Sequence, residues 1–124
     1  MSIMGEDFDK LEIFQLALEL TDWVYDATAS FPKEELYNLV SQCRRSVVSI
    51  CGNIAEGHGR YSFKERIQFS VYARGSLSET KSYMIIGKRR GYMSEEKLSD
   101  YLTKHRNLSV KLNNYIRSLR KNVP

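Results

Sequence analysis

Nearly the whole chain is free of residues that break helices, and this constrains its fold more than any other feature. Proline occurs twice in 124 residues, at Pro32 and at the terminal Pro124, and glycine occurs seven times. Proline cannot donate the backbone hydrogen bond of a helix interior, and glycine there costs about 1 kcal/mol relative to alanine. Apolar residues recur at spacings of three and four in four long segments, and no alternating strand pattern is present. The sequence therefore predicts an all-α protein.

Capping residues and short turns mark the expected helix ends. Ser62 and Glu65 form a capping-box pattern that opens the third helix, and Ser94 is predicted to cap the fourth. Gly57 and Gly91 are expected to end the second and third helices. We predict a single domain over residues 1–124, with a short acidic segment at 1–10 and helices at about 11–30, 35–57, 62–90 and 95–121. Short turns between long helices favour an antiparallel, up-down-up-down four-helix bundle.

The first predicted helix is apolar around most of its circumference, whereas a helix in a monomeric bundle needs roughly one apolar stripe. This excess predicts that the helix also packs against another copy of the chain. The candidate interface residues are Leu16, Leu20, Trp23 and Ala27.

Charge is divided unevenly along the chain. Residues 1–40 hold two Lys or Arg and nine Asp or Glu, whereas residues 41–124 hold seventeen and six, so a net −7 is followed by a net +11. This asymmetry favours either an anionic partner or head-to-tail self-association, in which the acidic part of one copy meets the basic part of another. Charge alone leaves both alternatives open.

Two basic clusters are candidates for contacts with nucleic acid, because lysine and arginine bind phosphates and an exposed tyrosine is placed to stack on an unpaired base. In an up-down-up-down bundle, the start of the third helix and the end of the fourth share one end. The first cluster, at that end, comprises Arg60, Tyr61, Lys64, Arg66, Arg117, Arg120 and Lys121, and the second, at the opposite end, comprises Lys88, Arg89 and Arg90. The alternatives are a solvated face partly neutralised by Glu6, Asp7 and Asp9, and, for the second cluster, cations that the helix dipole favours without a ligand.

The residues that could serve a metal site or catalysis lack the partner residues that such sites require. Cys43 and Cys51 are about 12 Å apart on one predicted helix, beyond the reach of a disulfide, and are expected to be small core residues. The turn 57–60 lacks the preceding strand and the Lys-Ser/Thr of a phosphate-binding loop. His105 has no second metal ligand at helical spacing, which favours a hydrogen-bonded interior histidine. We expect no cofactor, no metal, no small-molecule substrate and no enzymatic activity.

Two carboxylates raise a further alternative. Glu79 in the third helix is expected to form an ion pair with Arg44 or Arg45 in the second, which would fix the register of the two helices. A catalytic pair between Glu79 and Glu56 would instead need a cleft that drives their pKa values apart. We interpret these residues as structural.

The sequence carries no signal for a membrane or for export. No apolar run approaches the roughly 20 residues needed to span a bilayer, and residues 1–10 lack the hydrophobic stretch of a secretion signal. The expected location is the cytoplasm.

Several motifs stand in one order along the chain. They are Ser30-Phe31-Pro32-Lys33-Glu34-Glu35, the segments 41–50 and 53–57, Ala73-Arg74-Gly75-Ser76-Leu77-Ser78-Glu79 and Gly91-Tyr92-Met93-Ser94. In these motifs the chain resembles, from about Phe8 to Lys121, a bacterial four-helix-bundle family encoded in intervening sequences of large-subunit (23S) ribosomal RNA genes. One departure is Cys51-Gly52, where members of that family commonly carry Pro-Ala, so the kink that proline would produce is not implied for this chain.

The resemblance implies a bundle that assembles into a pentameric ring. It also implies a fold similar to that of the accessory proteins of diversity-generating retroelements, which bind nucleic acid and a reverse transcriptase through a basic surface. The label "ribosomal protein" that the family carries follows from gene location and does not imply a ribosomal subunit.

Three classes of function remain open at this point. The first is an oligomeric module that binds RNA or DNA, the second is a homo-oligomeric protein-interaction scaffold without nucleic-acid binding, and the third is a small enzyme. The basic clusters favour the first, with a protein as a further candidate partner. Binding that falls steeply with added salt would separate the first class from the second, and a concave pocket with convergent ionisable groups would indicate the third.

Overall fold

The computed structural model describes residues 7–124, and they form four α-helices that pack against one another, with no strand in this range. Glu6 and most of the predicted acidic segment 1–10 lie outside the described residues. The helices are α1 (Glu12–Thr28), α2 (Leu39–His58), α3 (Phe63–Arg89) and α4 (Glu95–Arg120), and two short 3₁₀ helices span Phe8–Lys10 and Lys33–Glu35. None of these helices is both long and apolar enough to cross a membrane.

The predicted caps of α3 and α4 are present. Ser62 Oγ accepts a hydrogen bond from the Glu65 backbone N–H at 3.3 Å, and Ser94 Oγ accepts one from Lys97 N–H at 3.1 Å. Gly91 follows α3 with φ at +83°, a left-handed conformation that favours glycine. Because these hydrogen bonds satisfy backbone groups that a helix start leaves free, both helices begin within one residue of the predicted positions. Both also end within one residue of the predicted positions.

The second helix begins at Leu39, so the expected start near residue 35 was wrong. Pro32 leads into the 3₁₀ turn Lys33–Glu35, in which the Glu35 N–H donates to the Pro32 carbonyl at 2.9 Å. The Glu35 carboxylate then accepts from Asn38 Nδ2 at 3.0 Å and from the Leu39 N–H at 3.4 Å. These local bonds replace the first turn of an α-helix, and apolar spacing does not reveal them.

Gly57 lies inside α2, which ends at His58, so the prediction that Gly57 ends the helix was wrong. A Cβ on Gly57 would lie 2.8 Å from the Cβ of Phe69 and 3.3 Å from the Arg66 carbonyl oxygen, both in α3. Glycine is therefore needed here because the two helices approach closely, and its conformational freedom is not used.

The core is formed by one apolar stripe from each helix. The buried members include Ile13, Ala17, Leu20 and Val24 of α1, Val40, Cys43, Val47, Ile50 and Ile54 of α2, Ala73, Leu77 and Met84 of α3, and Tyr101, Leu108, Leu112 and Ile116 of α4. Both cysteines are free; Cys43 is fully buried, as expected, and burial raises the pKa of its thiol to about 12. Cys51 is half-buried, and its Sγ lies 3.4 Å from Thr21 Oγ1.

Most of the apolar surface of α1 is buried against other helices of the same chain. Leu20 and Ala27 are 1% and 5% exposed, so they offer no surface to another copy, which corrects their assignment to an oligomer interface. Leu16 and Trp23 are half-buried against the core. Trp23 Nε1 donates to Asp100 Oδ2 at 2.8 Å, and its ring lies 5.5 Å from that of Tyr101 in α4.

Trp23→Phe is expected to lower the free energy of unfolding by about 1 to 2 kcal/mol, because the hydrogen bond to Asp100 is lost while most of the ring contact stays. Urea denaturation followed by circular dichroism measures this. Tyr37→Phe is the matched control, since Tyr37 is 92% exposed, and its effect should stay below about 0.5 kcal/mol. Equal midpoints for the two variants would contradict the assignment of Trp23 to the contact between α1 and α4.

Within residues 7–124, Glu79 forms an ion pair with neither Arg44 nor Arg45. Glu79 accepts a hydrogen bond from the Tyr83 hydroxyl at 2.9 Å, on its own helix. Arg44 Nε donates to Thr28 Oγ1 at 3.1 Å, and its guanidinium lies over the Tyr25 ring. The expected ion pair was therefore wrong, and Arg44 joins α2 to α1 instead of to α3.

Candidate nucleic-acid interface

Five residues of the first basic cluster lie on the surface: Tyr61, Lys64, Arg117, Arg120 and Lys121. Tyr61 is 88% exposed. Arg117 Nη1 donates to Asn114 Oδ1 at 2.8 Å. Within the described residues, none of the four cations has a carboxylate within 4 Å. They are therefore available to an anion from outside the chain. We call these five residues the α4-end surface.

Interhelical contacts bring the start of α3 beside the last third of α4. Arg74 Nη1 donates to Asn113 Oδ1 at 3.0 Å. Burial raises the pKa of Tyr115, and the nearby charge of Arg66 opposes that rise. Lys64 lies two residues before Arg66, and Arg117 lies two residues after Tyr115, so the cations of both helices lie at a similar level along the two helix axes.

Arg60 forms ion pairs with carboxylates on both sides of the turn in which it lies, and they neutralise its charge. Its Nη2 lies 2.8 Å from Glu56 Oε2, and Nη1 lies 3.7 Å from Glu65 Oε1. The guanidinium also lies 4.8 Å from the centroid of the Phe69 ring. Arg60 therefore connects the end of α2 to the start of α3, and its predicted role as a free phosphate ligand is not supported by its surroundings.

Arg66 is 2% exposed, so the prediction that it contacts phosphate was wrong. Its Nε donates to the Arg60 carbonyl at 2.7 Å, and its guanidinium lies 5.6 Å from the centroid of the Phe63 ring. The physical reason is that a backbone carbonyl of the turn between α2 and α3 accepts this partly buried hydrogen bond, and a carbonyl withdrawn from water needs a donor.

Arg66→Gln is expected to lower the free energy of unfolding by about 2 to 4 kcal/mol, because the shorter side chain withdraws from the Arg60 carbonyl and leaves unfilled space where the buried arginine lay. Lys64→Gln removes a similar charge two residues away from an exposed position and should cost less than about 0.5 kcal/mol. Urea denaturation of both variants measures the difference. Similar stabilities of the two variants would contradict the burial of Arg66.

The second basic cluster is mostly engaged in contacts within the chain. Lys88 Nζ lies 2.9 Å from Glu95 Oε2. A hydrogen bond with Tyr92 raises the pKa of Arg90, and the charge of Glu35 adds to this. Tyr92 in turn donates to Glu35 Oε2 at 2.8 Å, and this bond is the main cause that lowers the pKa of Glu35. These contacts join the end of α3 to its neighbours, and Arg89 alone of the three has no such contact in the described part of the chain.

Further exposed cations, Lys104 and Arg106, were not among the predicted site residues. From Tyr101 to Pro124 the chain holds six Lys or Arg and no Asp or Glu. Lys104 and Arg106 are exposed on α4, whereas Lys111 Nζ lies 3.4 Å from Glu12 Oε1 of α1. The absence of acidic residues after Asp100 would have indicated them, but a single charge count over residues 41–124 conceals it.

His105 lines a groove of about 290 Å³ between α3 and α4 and is half-buried. Its Nδ1 is buried and has no hydrogen-bond partner among residues 7–124, so the expected hydrogen-bonded interior histidine was wrong. Burial lowers the pKa of His105, and the charges of Lys81 and Arg106 lower it further. The imidazole is therefore neutral near pH 7. The described residues contain no group of three or more His, Cys, Asp or Glu that could hold a metal ion.

Comparison with known proteins gives one match that covers most of the chain. A protein-family model described as "23S rRNA-intervening sequence protein" matches residues 9–114. No curated protein matches the sequence. The matched range includes all of α1, α2 and α3 and three quarters of α4, together with the motifs on which the resemblance rested. The chain belongs to the family of 23S rRNA-intervening sequence proteins.

Proposed function

We propose that this protein is a non-catalytic, homo-oligomeric bundle that binds nucleic acid, and RNA first, through the α4-end surface. The observation that carries the proposal is the exposed set of cations on α3 and α4 that no carboxylate of the described residues neutralises. A polyanion that meets such a surface releases condensed counterions, which supplies binding free energy without any requirement for sequence.

Tyr61 favours unpaired bases as the part of the nucleic acid that is bound. It is almost fully exposed beside Lys64, and an aromatic ring on a basic surface stacks on a base at about 1 to 3 kcal/mol per contact. Bases are available for stacking in loops and single strands and are covered in a duplex. The description of the family names 23S rRNA, which makes a ribosomal RNA hairpin with an open loop the first ligand to test.

The proposal includes the antiparallel, up-down-up-down arrangement of the helices. It is supported by side-chain pairs whose numbers rise in one helix as they fall in the next. Such pairs are Thr28 with Arg44 and Thr21 with Cys51, Ser46 with Thr80 and Ser49 with Ser76, and Lys88 with Glu95 and Arg74 with Asn113. A ring, pentameric by the resemblance drawn from the sequence, would repeat the α4-end surface and multiply weak contacts.

The absence of catalysis also remains a proposal. It is supported by the partners of the carboxylates that were candidates for an acid–base pair, because Glu56 binds Arg60 and Glu79 binds Tyr83. Both carboxylates therefore have local structural partners.

A protein-interaction scaffold is the second candidate, and one observation favours it. Leu36 and Tyr37 are exposed, Tyr37 by 92%. They adjoin in sequence a groove of about 450 Å³ whose lining includes Leu39, Tyr83 and Ile86. An exposed apolar patch beside a groove is typical of a protein-binding surface.

Fluorescence anisotropy tests the proposed function. The purified protein is titrated into a labelled ribosomal RNA hairpin, a fully paired RNA and a duplex DNA, from about 50 to about 200 mM salt. We expect the hairpin to bind most tightly and log K to fall steeply and linearly with log salt. Absence of binding even at the lowest salt would exclude the nucleic-acid function and leave the scaffold.

A further inference from the structure

We propose that the groove between α3 and α4 receives the acidic outer stripe of α1 from a second copy of this chain. The inference rests on the homo-oligomeric part of the proposed function and names the two surfaces that meet. It is independent of nucleic-acid binding, because neither surface includes a residue of the α4-end surface.

The groove is built to receive an anion. It is lined by Lys81, Leu102, His105, Arg106, Ser109 and Val110, and thus contains no carboxylate of its own. Within residues 7–124, neither Lys81 nor Arg106 has a carboxylate within 4 Å. After burial, which has the larger effect, their charges lower the pKa of His105, as expected for cations close to the imidazole.

The imidazole of His105 lies among the cations of the groove. Nδ1 is buried and makes no hydrogen bond to any described residue. A carboxylate that enters the groove would lie close to the cations of Lys81 and Arg106. One incoming group would thereby neutralise charge on two side chains.

The acidic stripe consists of Glu19, Asp22 and Asp26, which are exposed on α1 at spacings of three and four and therefore lie on one face. None of the three has a Lys or Arg within 4 Å in the described structure. The helix from Glu12 to Thr28 contains no basic residue at all. The exposed apolar side chains Leu18 and Tyr25 flank the stripe.

The two surfaces match in apolar character as well as in charge. Leu102 and Val110 border the cations of the groove, and Val110 is 52% exposed. Leu18 and Tyr25 border the acids of the stripe. A phosphate backbone would neutralise the cations but would leave Leu102 and Val110 uncovered, whereas α1 of a second copy would cover both. This favours a copy of the chain over nucleic acid as the occupant.

The contact is heterologous, since it joins two different surfaces of the same chain. Each copy presents one stripe and one groove, so association repeats from copy to copy and ends only when a ring closes. α1 also contacts α4 within the chain, through Trp23 with Asp100 and Glu12 with Lys111, while the stripe remains on the solvent side.

A charge swap tests the inference. The stripe variant combines Asp22→Lys with Asp26→Lys, and the groove variant combines Lys81→Glu with Arg106→Glu. Sedimentation velocity over a concentration series should show that each variant alone dissociates at a concentration at least about tenfold higher than the wild type, with folding checked by circular dichroism. The four changes together should recover most of the wild-type mass, because the charges are then complementary again. Glu34→Lys with Lys33→Glu, on an exposed turn, is the control and should leave the mass unchanged.

Several outcomes would overturn the inference, and they differ from failure of the proposed function. If neither variant weakens the wild-type oligomer, the proposed contact does not form, although the protein is still a homo-oligomer. The same conclusion follows if the combined variant stays dissociated. A wild type that is monomeric at every concentration would remove both the contact and the homo-oligomer. A groove variant that keeps its mass but loses affinity for the RNA hairpin would assign the groove to nucleic acid.

Discussion

Reversing Arg117, Arg120 and Lys121 together to glutamate is expected to weaken binding of the RNA hairpin about a hundredfold or more near 100 mM salt. Each of the three is exposed on or just after α4 and has no carboxylate partner in the described structure, so each is free to contact a phosphate. Loss of three phosphate contacts should also reduce the slope of log K against log salt by about 3. Anisotropy titrations at several salt concentrations measure both quantities.

The matched control changes the same total charge elsewhere. Lys10, Lys33 and Lys97 are exposed and lie outside the α4-end surface, and their replacement by glutamate alters the net charge by the same amount. This control should weaken binding by only a few-fold, through long-range electrostatics, and should leave the salt slope nearly unchanged. Equal losses of affinity in the two triple variants would mean that the RNA is attracted by the overall charge of the protein and not by a particular surface.

Gly57→Ala is expected to lower the free energy of unfolding by about 2 kcal/mol, although alanine is the better helix former. The added Cβ would lie 2.8 Å from Phe69 Cβ and 3.3 Å from the Arg66 carbonyl oxygen. Neither atom is the end of a flexible side chain, so α2 and α3 must move apart, and contacts along both helices weaken. The close approach at this position outweighs the gain in helix propensity.

Gly52→Ala in the same helix should have the opposite sign. Gly52 is exposed, and a Cβ built on it meets nothing within 4 Å. Alanine there should raise the free energy of unfolding by about 0.5 to 1 kcal/mol, since it restricts the unfolded chain and adds helix propensity. Denaturation of the two variants under one set of conditions gives the comparison. A stabilising Gly57→Ala would show that α2 and α3 do not approach as closely as described.

The sequence by itself determined the features that depend on neighbours within about one helical turn. The spacing of apolar residues predicted four helices and most of their buried stripes, because a helix places residues three and four apart on one face. Ser62, Ser94 and Gly91 predicted three helix ends, because a cap is a bond between residues close in the chain. The motifs predicted the family that the chain belongs to.

Only the tertiary structure decided which polar and apolar side chains remain on the surface. Arg66 is typical of a phosphate ligand in sequence, but a carbonyl of the turn before α3 holds it inside. Leu20 and Ala27 extend an apolar face that α1 already buries within its own chain, and Gly57 is required by a neighbouring helix. In each case the deciding partner lies across a turn or on another helix, and the contact depends on how helices are oriented. That orientation results from the packing of all four helices together, which local spacing does not encode.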